Sequence, residues 1–321
     1  MTALTIYDAD GARDISDIVA LNRRDWESEQ KAPKKTRASS RRPWNKLSRI
    51  ERWKQGGPWL DPDTFALHYQ IQKESGGSVL IARISDTIVG ELDLSIGTST
   101  TLEKCAHITW IVIDPTKRRE GIGLQLLKHA LSIARAQNCR FLTTTTDNVE
   151  ARRFFQANEF QFVDYEATFT KKLTTQGKML NDATHIQHFP LEWKPRVHTP
   201  LGFIPFLGIN YPAEQIWTYL RYTNQLYTML NSDLPRPHLW LLRHNEAEAL
   251  TVDGRTIRIW VSKKCRDDSQ FLTKTLVATE ALSTKNGVTE LTVFARENQF
   301  QLLQENEYDL LQKRPVLMLR V

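Results

Sequence analysis

Gly121 and Gly123 stand one residue apart in the stretch DPTKRREGIGLQLLKHALSIARA (114–136), between a cluster of basic residues and an amphipathic run. A helix N-terminus leaves backbone N–H groups unpaired and carries positive partial charge, so a loop of small residues leading into one can wrap an anion. Glycines let the main chain approach closely, Arg118 and Arg119 bring fixed charge, and a pyrophosphate is the natural guest. An ordinary turn ahead of a core helix would have the same spacing. The segment is not a dinucleotide fingerprint, because Leu126 stands where the third glycine belongs. Nor is it a P-loop, since no Gly-Lys-Ser/Thr follows. Elsewhere no His, Cys and Asp cluster has metal-ligand spacing, and no G-x-S-x-G elbow occurs. Cys105, Cys139 and Cys265 are odd in number and far apart, which suits no disulfide framework and points to a reducing cytoplasm.

Hydrophobic periodicity gives the elements that must position these glycines. Helix 122–136 places Ile122, Leu126, Leu127, Ala130, Leu131 and Ala134 on one stripe. The preceding HITWIVID is apolar on both faces from Trp110 onward, which predicts a central strand covered on both sides. Upstream lie a strand (LTIYDAD), two helices (ISDIVALNRRDWESE and PDTFALHYQIQKES) and a hairpin turning at Ser85 and Asp86. Downstream, FLTTTT reads as a strand, VEARRFFQAN as a helix and FQFVDYEATFTKKL as closing strands. The order predicts an α/β fold with a mixed central sheet flanked by helices. A chain of 321 residues accommodates two such domains. The expected division is a first domain over 1–174, a Thr-, His- and Pro-rich linker over 175–192, and a second domain over 193–321. No window approaches the roughly 18 apolar residues of a membrane span, and the start lacks the pattern of a signal peptide.

Charge is concentrated in one place. Residues 31–54 carry ten Lys or Arg and one Glu, more than the whole chain's net +6, so everything else is net acidic. Such a run, with Trp44 and Trp53 as stacking platforms, could track a phosphate backbone. Its composition equally suits a solvated, partly disordered loop inserted over 31–56 beside the site.

At the glycines a family resemblance appears. RREGIG (118–123), after a strand ending in Asp114-Pro115 and before an apolar helix, resembles the Q/R-x-x-G-x-G/A motif of the GNAT superfamily of acetyl-CoA-dependent N-acetyltransferases. NVEARRFFQANEF (148–160) is similar to that family's N-x-x-A-x-x-F-Y-x-x-x-G-F helix. The resemblance implies that the main chain of Arg118, Arg119, Glu120, Gly121, Ile122, Gly123 and Leu124 holds the pyrophosphate of acetyl-CoA. It implies that Ile111, Val112 and Ile113 pair with the pantetheine arm, that the Ile111 N–H faces the thioester oxygen, and that Asn148 holds the cofactor from the other side. Phe155 occupies the place of the tyrosine that often protonates the leaving thiolate, so that proton must come from elsewhere, with Tyr165 or water as candidates. His107 falls where several members carry a catalytic Glu and is the candidate general base, with Glu91 and Glu103 as substitutes. The implied acceptor is a small-molecule or peptide amine.

A second copy is legible. Shifting by 148 residues lays QENEY (304–308) on QANEF (156–160) and Arg266 on Arg118, within the same strand and helix order. Ser269, Phe271 and Arg296 replace the two glycines and the asparagine, so the copy is expected to keep the architecture and lose the pyrophosphate cradle. Trp217, Tyr219, Tyr222 and Tyr227 form a stripe on a predicted helix over 213–230, read as core or as an acceptor wall.

Overall fold

The structure is a computed structural model that describes residues 3–31, 42–98, 104–174, 185–189, 203–205, 213–232, 238–244, 247–253, 256–262 and 268–321. The first half runs β1 (Leu4–Asp8), α1 (Gly11–Lys31), α2 (Arg49–Gly56), α3 (Pro62–Glu74), β2 (Ser78–Ile84), β3 (Thr87–Thr98), β4 (Lys104–Ile113), α4 (Ile122–Ala136), β5 (Phe141–Thr145), α5 (Val149–Ala157) and β6 (Gln161–Lys172). The second runs β7 (His185–Phe189), β8 (Phe203–Pro205), α6 (Ala213–Met229), β9 (His238–His244), β10 (Ala247–Asp253), β11 (Thr256–Ser262), α7 (Ser269–Lys285), β12 (Glu290–Arg296), α8 (Phe300–Glu305) and β13 (Asp309–Arg320). Helix starts follow capping chemistry. Asp61 accepts from Asp63 N and Thr64 N ahead of α3, Asn148 does the same ahead of α5, and Ser48 with Glu51 makes a reciprocal capping box on α2.

Among the described residues the strands form one mixed sheet in the order β1-β2-β3-β4-β5-β13-β6-β12-β11-β10-β9-β7, with β8 paired to β11. Strand alternation splits its first half into two faces. Val79, Ile81, Ile88 and Val112 pack under α1 and α3, and Leu80, Leu92, Leu94, Ala106 and Ile108 pack under α4. The predicted central strand is therefore β4, apolar on both sides.

The closing strands are exchanged between the halves. β13, the last strand of the chain, lies between β5 and β6, pairing Leu319 with Leu142 on one edge and Lys313 with Ala167 on the other. β6 in turn lies between β13 and β12, pairing Phe169 with Val293. Each half thus ends on a strand that the other half needs. Buried Lys171 on β6 fastens the exchange, donating to both carboxylate oxygens of Glu280 on α7 at 3.0 Å and to the Asn306 carbonyl at 2.7 Å.

Two stretches are more ordered than their composition suggested. The segment expected as a linker contains β7, which pairs with β9. The described part of the basic segment is folded, because its arginines have carboxylate partners: Arg49 bonds Asp63, and Arg52 lies 3.2 Å from Asp61. The aromatic helix, α6, packs outward from its own half onto α3, where Tyr222, Leu226 and Leu230 meet Leu67 and Ile71. Among the described residues no helix is long and apolar enough to cross a membrane.

Candidate active site

β4 and β5 run parallel and paired only from Cys105–Phe141 to Ile108–Thr144; beyond Ile108 they separate. A bulge at Thr109 marks the same point on the other edge, where Asp93 opposes Trp110 and Leu94 opposes Ile108. The Asp114 N–H bonds Val89 on β3. By strand alternation the polar backbone groups of Ile113 and Ile111 face the other way, into the gap. The strand thus turns main-chain groups of Ile111 and Ile113 toward the place where the resemblance expects a pantetheine arm.

The glycine loop closes the near end of this gap. Gly121 is the N-cap of α4 with φ +82° and no side-chain cap, so the N–H groups of the first turn have no capping acceptor among the described residues. A Cβ built on Gly121 meets nothing within 4 Å, so backbone conformation and not crowding calls for glycine there. Gly123 differs: its Cβ would sit 3.6 Å from the Phe154 ring of α5, an ordinary contact. Arg119 also has positive φ. Arg118 is committed within the protein, bonding Asp25 of α1 and donating to the Ile113 carbonyl at 3.4 Å. Burial raises Asp25 to about 6 despite Arg118 beside it. One residue earlier on α1, Arg24 lies 2.8 Å from Asp114. Burial opposes ionisation of Asp114, but hydrogen bonds from Thr116 and Arg24 outweigh it and hold the carboxyl below its usual range. The loop is pinned from both ends. Asn148 spends its Oδ1 on capping α5, at 2.8 Å from Glu150 N and 3.1 Å from Ala151 N.

Phe155 is buried against Phe154 and Phe160, with ring centroids 5.2 and 5.0 Å away. Tyr165 lies on the other side of α5, beneath Lys313. His107 is buried, its Nδ1 2.8 Å from Thr143 Oγ1, and burial with the Arg314 charge pushes it down to about 3. A base so weakened takes no proton at neutral pH. Glu103 lies outside the described residues, as does Arg266.

The face of the sheet under α1 and α3 carries a polar network that the sequence reading caught only at Glu91. Asn22 of α1 donates to Glu91 Oε2 at 2.5 Å and accepts from Trp110 Nε1 at 2.9 Å. Asp93 Oδ2 takes Trp59 Nε1 at 3.0 Å and lies 2.7 Å from His68 Nε2. The Trp59 and Trp110 rings stack at 4.4 Å. Glu91 Oε1 and Asp93 Oδ1 are buried without a hydrogen-bond partner among the described residues. Burial first, and the neighbouring Asp93 charge second, raise Glu91 well above the usual carboxylate range, so it holds a proton. The available signal was two acids at inward positions of the alternating run GELDLSI.

In the second half, among the described residues, β11 and β12 pair only through Thr256–Ile257 and Thr292–Val293, repeating the gap. There the N-cap of α7 is Asp268, whose own carboxylate accepts from Phe271 N at 2.9 Å and so fills the anion position. Phe271 is buried in the core. Of the two indoles in the basic segment, Trp44 has the guanidinium groups of Arg23 and Arg52 over its ring at 4.7 and 3.9 Å and donates to the Leu60 carbonyl, while Trp53 packs with α3 and α6.

Residues 44–160 match the model of the Acetyltransferase (GNAT) family. Among solved structures the chain is similar to a tandem GNAT protein from the clavulanic acid biosynthesis pathway, at 13% identity and TM-score 0.56, covering 99% of this chain and 98% of that one. It is also similar to GCN5-related N-acetyltransferases from Anabaena variabilis (12% identity, TM-score 0.60, 98% of this chain and 72% of that one) and Sphaerobacter thermophilus (10%, 0.53, 99% and 95%). At these identities the likeness concerns the fold. No curated protein matches the sequence.

Proposed function

With residues 44–160 matching the GNAT acetyltransferase family and the whole chain folded as a tandem GNAT protein is, we propose that it moves an acetyl group from acetyl-CoA to an amine by direct attack in a ternary complex. One juxtaposition carries this reading: an uncapped first turn of α4 behind left-handed Gly121, at the mouth of the gap between β4 and β5. The diphosphate nests on the N–H groups between Arg118 and Leu124, the pantetheine arm lies along Ile111, Val112 and Ile113, and Asn148 borders the groove across from α4. The Ile111 N–H stabilises the charge that develops on the thioester oxygen.

The amine nitrogen bonds the carbonyl carbon, the C–S bond breaks, and coenzyme A leaves as a thiolate that draws its proton from water. With phenylalanine at 155 no side-chain acid serves this step, and a thiolate is a fair leaving group without one. The acceptor, a small-molecule or peptide amine, enters on the α1 and α3 face. The proton it sheds passes to the network there, of which His68 is the least buried titratable member. Residues 1–174 supply all these groups, and the half from 193 onward contributes the strand that completes their sheet.

Free thiol release from acetyl-CoA with a panel of amines tests this. Amine-dependent release supports it. Uptake of acetyl-CoA without release for any amine would favour an acyl-CoA-binding protein, the reading to which the buried His107 and Phe155 lend weight. No uptake at all overturns both.

A further inference from the structure

α5 has a second face. Its Phe154 side looks toward Gly123 and the coenzyme groove, whereas Val149, Arg152, Arg153 and Gln156 look the opposite way, into a cleft of about 400 Å³. That size falls within the range of small-molecule sites. Its other walls are Phe162 and Tyr165 of β6 and Pro315 of β13, so both halves of the chain build it.

The lining has a definite chemistry. Phe162 and Tyr165 sit with ring centroids 4.8 Å apart and planes tilted by 59°, and Lys313 lies over the Tyr165 ring, so the half-exposed Phe162 ring, edged by Tyr165, is the platform for a planar guest. Phe162 and Val149 are nearly half exposed, so the cleft presents apolar surface to solvent. The guanidinium groups of Arg152 and Arg153 make no hydrogen bond or ion pair among the described residues, although charged groups nearby are matched. Arg314 donates to Glu166 at 2.7 Å, Lys313 to Glu297 at 3.2 Å, and Gln312 to Asp147 at 2.9 Å. Asp164 accepts from the backbone of Tyr165 at 2.7 Å. Two unmatched guanidinium groups beside an aromatic platform suit a ring that carries a carboxylate or phosphate, which arginine grips through paired N–H donors.

We infer that the cleft between α5 and strands β6 and β13 binds a small planar aromatic anion, separately from the coenzyme groove. The test is calorimetry on the full chain, saturated with coenzyme A, using adenosine 5′-monophosphate and salicylate as probes, with adenosine and salicylamide as uncharged counterparts. At least one anion binds, its uncharged counterpart binds at least about tenfold more weakly, and the preferred anion tells phosphate from carboxylate recognition. The Arg152→Glu/Arg153→Glu double variant and Tyr165→Leu each lower that affinity about tenfold or more, while acetyl-CoA uptake is unchanged. No binding of either anion, equal binding of the uncharged counterparts, unchanged affinity in the variants, or displacement by coenzyme A overturns the inference. Because acetyl-CoA uptake is read in the same samples, failure of this site and failure of the coenzyme groove are told apart.

Discussion

Replacing Glu91 by glutamine is expected to stabilise the protein, increasingly so as pH rises. Glu91 and Asp93 lie two residues apart on one face of β3, fully buried, with one oxygen of each lacking a donor among the described residues. Two ionised carboxylates without a cation between them would be costly, so Glu91 keeps its proton in the folded chain. Its folded pKa therefore stands above the ordinary 4.5. The folded state then retains a proton that the unfolded state has released, so stability falls as pH climbs from about 4.5 to the folded value, by about 1.4 kcal/mol per pH unit inside that window. Glutamine has the shape of the protonated acid: its amide N–H₂ can face Asp93 while its oxygen accepts from Asn22. Below pH 4.5 the variant and the parent should have similar stability, and above it Glu91→Gln should gain by that slope until the parent's carboxyl ionises. Equilibrium urea unfolding from pH 4 to pH 8 measures the difference. Parallel profiles, or a variant that loses ground as pH rises, would refute the assignment of a buried neutral acid.

Other perturbations separate fold from chemistry. Gly121→Ala forces an L side chain into the left-handed region and should cost about 1–2 kcal/mol, whereas Gly123→Ala has room and lies within a helix, so it should be neutral or stabilising by up to about 1 kcal/mol; equal stabilities by urea unfolding would refute this distinction. Burial keeps His107 neutral when folded, with a pKa of about 3 against an ordinary 6.5. The unfolded chain therefore binds a proton that the folded chain refuses, and stability falls as pH drops below about 6.5. His107→Gln should flatten that fall and leave the pH–rate profile for acetyl transfer in place, which a loss of the profile's acidic limb would contradict. His68→Gln should lower kcat by about 10²- to 10⁴-fold with little change in acetyl-CoA affinity, and a KM effect alone would remove it from the proton path. A chain cut after residue 174 lacks the strand between β5 and β6 and should fail to give a folded monomer by circular dichroism and size-exclusion chromatography, although it contains both motifs intact.

Local rules made much of this protein legible before any fold was known. The 3.6-residue stripe of α4, the apolar faces of β4 and the turn at Ser85 are contests among neighbours in the chain, and near neighbours are what a sequence displays. The same locality let RREGIG announce a helix start with a free N-terminus and let the worn copy reveal itself through Ser269 and Phe271. Burial and long-range pairing were decided elsewhere. His107 has the right residue type at a suggestive spacing, but Thr143 and the charge of Arg314 from the far end of the chain determine its proton affinity. Arg118 looked free until α1 brought Asp25 against it. Asn22, Trp59, His68, Glu91, Asp93 and Trp110 lie on α1, the turn before α3, α3, β3 and β4, and only the stacking of α1 and α3 over β3 and β4 makes one network of them. β13 could not be placed from its own residues, because an amphipathic strand carries no label naming which half of the sheet it will close; its partners, 139 to 179 residues away, settle that when both halves fold together.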